Sequence, residues 1–230
     1  MLSQAAEDYI KAIYKLWKKG PVTTNSISKA LEVSSASVTN MLKRLAEMKL
    51  LVHTSYKGVK LTKAGRNIAL EVVRHHRLIE LYLSEVMGYS WDEVHAEADK
   101  LEHVISESFE DRIATFLGDP DVDPHGEPIP TKEGYIADSM GTRLSALRVG
   151  QAGRIIRVMD EDPELLRYLT ELGLRPRAVV TVTARAPFGG PVHVHVQADG
   201  GETHVFGDLV ADSVYVELVP ETQAVAQRDG

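Results

Sequence analysis

The chain has 230 residues, 43% of them hydrophobic and 26% charged, with no cysteine. No apolar run approaches the ~20 residues of a membrane helix, no signal peptide opens the sequence, and the lack of thiols excludes disulfides, iron–sulfur clusters and cysteine-based zinc sites. A cytoplasmic protein is expected, and any metal must be held by His and carboxylates. The net charge of −7 hides an asymmetry: residues 1–70 carry 12 Lys/Arg against 4 Asp/Glu, while residues 71–230 carry 14 against 29. A basic front and an acidic back point to separate tasks, the first at a phosphate backbone.

In chain order, Ala6, Tyr9, Ile10, Ile13, Leu16 and Trp17 recur at helical spacing over 3–19, and Gly20-Pro21 ends the run. Thr23-Thr24-Asn25-Ser26 supplies caps for a short helix to Leu31, and Ser34 or Ser35 caps a third to Met48. Extended stretches at 50–55 and 59–61 flank Tyr56-Lys57-Gly58 as a hairpin, and Thr62 caps a long helix to Met87. A further helix covers 91–106 and continues through a bend to Leu117. The segment GDPDVDPHGEPIP, 118–130, reads as a linker because four prolines interrupt it. Beyond Leu144, short β-rich stretches at 154–159, 179–184, 192–197, 203–206 and 213–218, with a helix at 163–172, read as a small β-barrel. Residues after Pro220 form a polar tail. The division expected is 1–70, 71–140, 141–220 and a tail, 221–230.

Helix, turn, helix and hairpin in that order make a winged helix-turn-helix. On the third helix Val38, Met41, Leu42, Leu45 and Met48 line one side, and Ser34, Ser35, Ser37, Thr39, Asn40, Lys43 and Arg44 line the other. Small hydroxyl residues at a helix start let the backbone approach base edges, Asn pairs with adenine, and basic residues reach phosphates. Lys57 and Lys60 on the hairpin add backbone contacts. The bland alternative, that every amphipathic helix has a polar face, does not account for the hairpin and the basic block around it.

The second constellation is acidic. Taking about 100° per residue, His95, Asp99, Glu102 and His103 fall within an arc of about 100° on one helix. His76 and Glu80 stand four apart on the preceding helix, and Asp8 lies beside the apolar stripe of the first. Two unpaired carboxylates ~5 Å apart repel by roughly 3 kcal/mol at an effective dielectric near 20, which a divalent cation relieves. A metal site is expected.

Through AEDYIKAIYKL, the winged reader closing on LTKAG, HHRLIELYL, EVHAEADKLEHVIS, PHGEPIP and the terminal barrel, the chain resembles the diphtheria toxin repressor family of metal-dependent transcriptional regulators in its long, three-domain form. The resemblance implies a mainly α fold with β: an N-terminal winged helix-turn-helix, a helical dimerisation and metal-binding domain, and a C-terminal SH3-like (FeoA-like) barrel. It implies a primary metal site from Asp8, Asp99, Glu102 and His103, and an ancillary site from His76, Glu80 and His95 with Glu161 and Glu164 of MDEDPELL. Asp162-Pro163-Glu164 also reads as an N-cap, a proline at N1 and an acidic first turn. His193 and His195 alternate with valines as an exposed strand face. A homodimer is implied, formed through the helices after the reader, with Leu78, Leu81, Tyr82, Ile105 and Phe109 as candidate apolar surface. It would bind a pseudo-palindromic double-stranded DNA operator, with no membrane and no organic ligand involved.

Iron-responsive members place Met at the position of Asp8 and Cys at that of Asp99. Oxygen donors at both favour Mn²⁺ over Fe²⁺, while Co²⁺, Ni²⁺, Zn²⁺ or Cd²⁺ can substitute in vitro. The short manganese regulators add a second acid one turn after the first, where this chain has Lys11, so two separated sites are expected rather than a binuclear one. The reading is a metal-gated repressor of manganese uptake genes, with an iron-dependent repressor as the alternative. A metallohydrolase is a more distant one, since HExxH, GxSxG and a P-loop are all absent. A metal-independent regulator that answers to an organic ligand is the third.

Overall fold

The computed structural model describes residues 2–54, 58–138, 141–159, 162–197 and 201–219. The chain forms two compact units, Met1–Ile79 with Ala98–Phe116 and Ile129–Ile136, and Glu80–Glu97 with Leu117–Pro128 and Ala137–Gly230. Lys57, Glu161 and the tail after Pro220 lie outside the described residues.

Caps set the helix starts in the first unit. After α1 (Gln4–Lys19), Thr23 and Ser26 form a reciprocal capping box at the start of α2 (Thr24–Ala30), and Ser34 accepts from Ser37 N–H to open α3 (Ser35–Glu47). Strands β1 (Leu51–Thr54) and β2 (Gly58–Leu61) pair antiparallel from Leu51↔Leu61 to Thr54↔Gly58, and Val59 N–H donates to Val22 O at 3.0 Å. Thr62 accepts from Gly65 N–H at the start of α4 (Lys63–Glu85). Gly65 is required by proximity: a Cβ there would lie 2.0 Å from Leu50 O. One core joins Ala6, Tyr9, Ile10 and Ile13 of α1 to Val38, Leu42 and Leu45 of α3 and to Leu70 and Val73 of α4. Burying such side chains contributes about 1.5–3 kcal/mol each, so α3 is held in place by α1.

The helix expected to run over 91–106 is shorter. α5 spans Val94–Leu101, a turn follows in which Val104 N–H bonds to Leu101 O, and Ser106 caps α6 (Glu107–Phe116) through Phe109 N–H. The cap at Ser106 starts a new helix, so Glu102 and His103 sit at the end of α5 rather than along its side. Leu78, expected on the dimer surface, is fully buried within the protomer, whereas Phe109 is exposed.

The second unit holds β3 (Thr142–Arg143), β4 (Ala152–Val158), α7 (Pro163–Glu171), β5 (Val179–Arg185), β6 (Val192–Gln197), β7 (Glu202–Phe206), α8 (Asp208–Ser213) and β8 (Val214–Val219). The strands make one antiparallel sheet in the order β3-β8-β4-β5-β6-β7, bulged between Ile155 and Arg157 and between Val182 and Ala184. Alternation along β6 buries Val192, Val194 and Val196 in the core, with His193 and His195 on the other face. Asp162 caps α7, accepting from Glu164 N–H at 2.9 Å. The six-residue α8 and two-residue β3 are too short to show a period in the sequence. No helix of the described residues is long and apolar enough to cross a membrane.

The 118–130 segment is more than a linker. Val122 bridges to Pro128, Val158 N–H donates to His125 O at 2.9 Å, and Arg157 lies 3.4 Å from Glu127. These bonds to β4 explain why so proline-rich a stretch has a defined path.

Candidate metal centre and nucleic-acid interface

Asp8 reaches from α1 toward the end of α5. Its Oδ1 lies 2.8 Å from His103 Nε2, and Glu102 Oε1 lies 3.2 Å from the same nitrogen. The other ring nitrogen, Nδ1, is 2.7 Å from Glu7 Oε2, so as an N–H it donates there. Nε2 is buried, makes no well-aligned hydrogen bond among the described residues, and faces two carboxylate oxygens. One imidazole nitrogen and two carboxylate oxygens thus converge on one point, a donor set that suits a cation. Hard oxygens with one imidazole fit a divalent ion, so the donor chemistry suits the metal. Burial pushes the Asp8 carboxyl above its ordinary value, an effect His103 only partly offsets.

On the other side of Glu102 the arrangement differs. Lys11, one turn after Asp8 and buried, places Nζ 2.6 Å from Glu102 Oε2, 2.9 Å from Asp99 Oδ1 and 3.0 Å from His76 Nδ1. His76 Nδ1 is in turn 2.6 Å from Glu102 Oε2 and 3.3 Å from Asp99 Oδ1. Burial alone would lower Lys11, but Glu102 and Asp99 outweigh it and hold the amine above its ordinary value. Burial would raise Glu102, but the bonds from His76 and the charge of Lys11 hold it below the usual carboxylate range. Of the four residues expected at the primary site, Asp8, Glu102 and His103 therefore share one point, and Asp99 faces Lys11.

Behind the cluster, His75 lies 3.2 Å from Glu102 O through Nδ1 and 3.0 Å from Glu110 Oε2 through Nε2. Arg74 bonds Glu110 Oε1 and donates to Pro130 O at 2.8 Å. Burial pushes Glu110 up and His75 down, yet each is shifted toward its charged form, Glu110 by His75 and Arg74, His75 by Glu110.

The second unit has its own group. Glu80 Oε1 is 3.0 Å from His95 Nδ1, and Glu80, Asp123 and His125, all buried, bring ligand atoms within 4.8 Å of one another. His125 Nε2–H donates to Trp91 O at 2.8 Å, and its ring stacks on the Trp91 indole with centroids 5.5 Å apart. That bond fixes the tautomer, turning the Nδ1 lone pair toward Glu80 Oε2, 3.9 Å away. Asp123 Oδ1 accepts from the N–H groups of His125 and Glu127, both at 2.9 Å. His76 is one turn before Glu80 on α4. Glu164 is exposed in the first turn of α7. Asp123 and His125 were missed from sequence because the prolines around them read as a linker; the signal was an Asp-x-His in an acidic stretch. Glu7 was missed because its role depends on the ring of His103.

Ser34, Ser35, Ser37, Thr39, Asn40, Lys43 and Arg44 are all exposed along α3, opposite buried Val38, Leu42 and Leu45, and Lys60 is exposed on β2.

Comparison with known proteins agrees with this architecture. Residues 1–59 match the iron dependent repressor N-terminal DNA binding domain, 62–131 the iron dependent repressor metal binding and dimerisation domain, and 142–218 the FeoA domain. The iron-dependent repressor IdeR of Mycobacterium tuberculosis is 33% identical over 95% of this chain and 99% of its own length. The chain belongs to the diphtheria toxin repressor family. A solved manganese-dependent transcriptional repressor in complex with manganese superposes with a TM-score of 0.86 at 36% identity, over 93% of this chain and all of that one. The manganese regulator SloR does so at 0.76 and 30%, over 93% of this chain and 98% of its own. This repressor is thus a metal-dependent DNA-binding regulator, not an enzyme, and its DNA-binding and dimerisation domains imply operator binding as a homodimer.

Proposed function

We propose that this family member is a manganese-responsive repressor of manganese uptake genes, with Asp8, Glu102 and His103 as the core of the activating site and Asp99 completing it. The observation that carries the reading is the convergence of Asp8 Oδ1 and Glu102 Oε1 on His103 Nε2, at 2.8 and 3.2 Å, with the other ring nitrogen taken up by Glu7. A bound divalent ion supplies the positive charge that these groups lack. Asp8, held at the same point as Glu102 and His103, fixes α1 against the end of α5. Because Ile10 and Ile13 of α1 pack with Val38, Leu42 and Leu45, the pose of α3 follows. In a homodimer that pose sets the distance between two recognition helices, which must match ~34 Å for successive major grooves of a pseudo-palindromic operator. Ser34, Ser35, Ser37, Thr39 and Asn40 are assigned to the bases and Lys43, Arg44 and Lys60 to the phosphates, with Lys57, outside the described residues, assigned there from the sequence alone.

Oxygen and imidazole donors without sulfur favour Mn²⁺, and the resemblance to manganese-dependent repressors supports the same ion. Ferrous iron is the second reading, favoured by the 33% identity to IdeR. A second ion is assigned to Glu80, His95, Asp123 and His125, all on the second unit, where the family's ancillary set includes His76, Glu80 and His95. Anisotropy of a labelled operator, titrated at buffered free Mn²⁺ and Fe²⁺ under anoxia, tests the function. Affinity rising at least ten-fold with Mn²⁺, and lost in Glu102→Ala, is expected. Operator binding indifferent to chelator overturns it.

A further inference from the structure

Glu102 and His103 are neighbours in the chain, so one planar peptide group joins them, and its orientation sets how their side chains face each other. That group's carbonyl, Glu102 O, lies just past the last residue of α5, where a helix leaves its carbonyls without amides to accept from. The turn that follows uses the Val104 amide on Leu101 O. A donor reaches Glu102 O from α4 instead: His75 Nδ1, 3.2 Å away. A carbonyl only accepts, so Nδ1 carries the proton in this bond. The ring is held from its far side as well. Its Nε2 lies 3.0 Å from Glu110 Oε2 of α6, and Arg74 bonds the other oxygen of Glu110 while donating to Pro130 O at 2.8 Å. Both His75 and Glu110 are buried.

We propose that His75 is a positioning residue for the activating site: it fixes the peptide group between Glu102 and His103, and through it the angle at which both side chains present their ligand atoms. The inference deepens the function proposed above and rests on its assignment of those two residues. The place where the bond ends supports it. His75 donates to the main chain of a ligand rather than to another side chain, so losing the bond frees a peptide plane and not merely a rotamer. The other contacts divide the work differently. Lys11 and His76 hold Glu102 Oε2, and Glu7 holds His103 Nδ1. Each of these steers one side chain, and none of them sets the two relative to each other. His75 does so, and Glu110 anchors it to α6. With the plane held, only side-chain torsions remain to be ordered when an ion binds, so a smaller entropy loss opposes binding.

The test uses the full-length protein, Mn²⁺ and two substitutions that divide the ring. The side-chain amide of Asn reaches about as far as Nδ1 and that of Gln about as far as Nε2, so His75→Asn keeps a donor for Glu102 O and His75→Gln keeps one for Glu110. By isothermal titration, His75→Gln should bind Mn²⁺ roughly 10–100-fold more weakly than the wild type, and His75→Asn should bind at least about five-fold more tightly than His75→Gln. Electron paramagnetic resonance of the bound ion should show a changed zero-field splitting in His75→Gln, because its ligands are no longer set at the same angle. Urea unfolding in chelator should not follow this order, since each variant loses one of the two bonds. His75→Asn binding no more tightly than His75→Gln, an unaltered splitting, or affinities that simply track the two stabilities would each overturn the proposal. Should His75→Gln fail to fold, ¹⁵N resonance of histidine-labelled wild type in chelator decides: Nδ1 of His75 should carry a proton that exchanges slowly with water, and an unprotonated Nδ1 overturns the bond. Failure of the underlying site assignment looks different, because Mn²⁺ binding would then be unchanged in Asp8→Asn and His103→Gln.

Discussion

Removing the Lys11–Glu102 pair one partner at a time measures how strongly α1 is tied to α5 before any metal binds. The pair is separated by 2.6 Å and both residues are buried. Two unit charges at that distance attract by about 6 kcal/mol at an effective dielectric near 20. Desolvation of both groups takes back several kcal/mol, which leaves a net coupling of about 2–3 kcal/mol. Lys11→Met leaves Glu102 and Asp99 facing each other without their cation. Glu102→Gln leaves the ammonium with Asp99, whose side chain is half exposed. Each single change should therefore destabilise the chelator-treated protein more than its share of the double change, in which neither charge is stranded. The assay is urea unfolding of the wild type, both single variants and the double variant in excess chelator, followed by the helical signal at 222 nm. A double-mutant cycle from these four gives the coupling directly. A coupling below about 0.5 kcal/mol would refute the reasoning, because it would mean that the buried contact is no stronger than a solvated surface pair.

Four further outcomes follow from the same geometry. Glu7→Gln should weaken Mn²⁺ binding roughly 10–100-fold by isothermal titration with the melting temperature unchanged, since Glu7 orients His103 without reaching the ion; unchanged affinity would remove it from the site. Arg44→Ala should weaken operator and non-operator DNA alike and reduce the slope of log affinity against log salt by about 1, while Asn40→Ala should relax discrimination at one base pair by ~1–3 kcal/mol; a salt slope unchanged in Arg44→Ala argues against a phosphate contact. For the His75–Glu110 pair, His75 is raised, so its contribution is complete below its unfolded value and lost as pH rises through the folded one; Glu110 is lowered, so its contribution is complete above its unfolded value and lost as pH falls through the folded one. Melting temperature against pH in chelator should accordingly fall above pH ~6.5 in the wild type, and less in His75→Gln, with parallel curves counting against the pair. Gly65→Ala should cost about 2–4 kcal/mol in urea unfolding, because its Cβ would lie 2.0 Å from a backbone oxygen; a loss under about 0.5 kcal/mol would show that α4 shifts freely.

Much of this protein is legible in one dimension because it is local. Ser34, Thr23 and Thr62 announce helix starts, since a cap bonds to an N–H two or three residues on. The stripe of Val38, Leu42 and Leu45 fixes which side of α3 is buried, and so leaves Ser35, Thr39, Asn40 and Arg44 outside. Donor types at His76, Glu80, His95, Glu102 and His103 are likewise readable at helical spacing, as is the oxygen character of Asp8 and Asp99. What spacing could not supply is which donors meet. An unbroken helix places Glu102 and His103 on its side, but the cap at Ser106 ends it and turns them toward α1. Lys11 reads from sequence as a missing ligand, and becomes a cation among ligands only when Asp99 and Glu102, 88 and 91 residues further along the chain, are packed against it. Asp123 and His125 lie among prolines, and only their bonds to Trp91, Glu127 and β4 aim them at Glu80. The identity of each group was set by the sequence. Their pairing, Glu102 Oε1 with His103 and Oε2 with Lys11 and His76, was set by long-range packing, because a carboxylate's two oxygens acquire different partners only when separate helices approach from opposite sides.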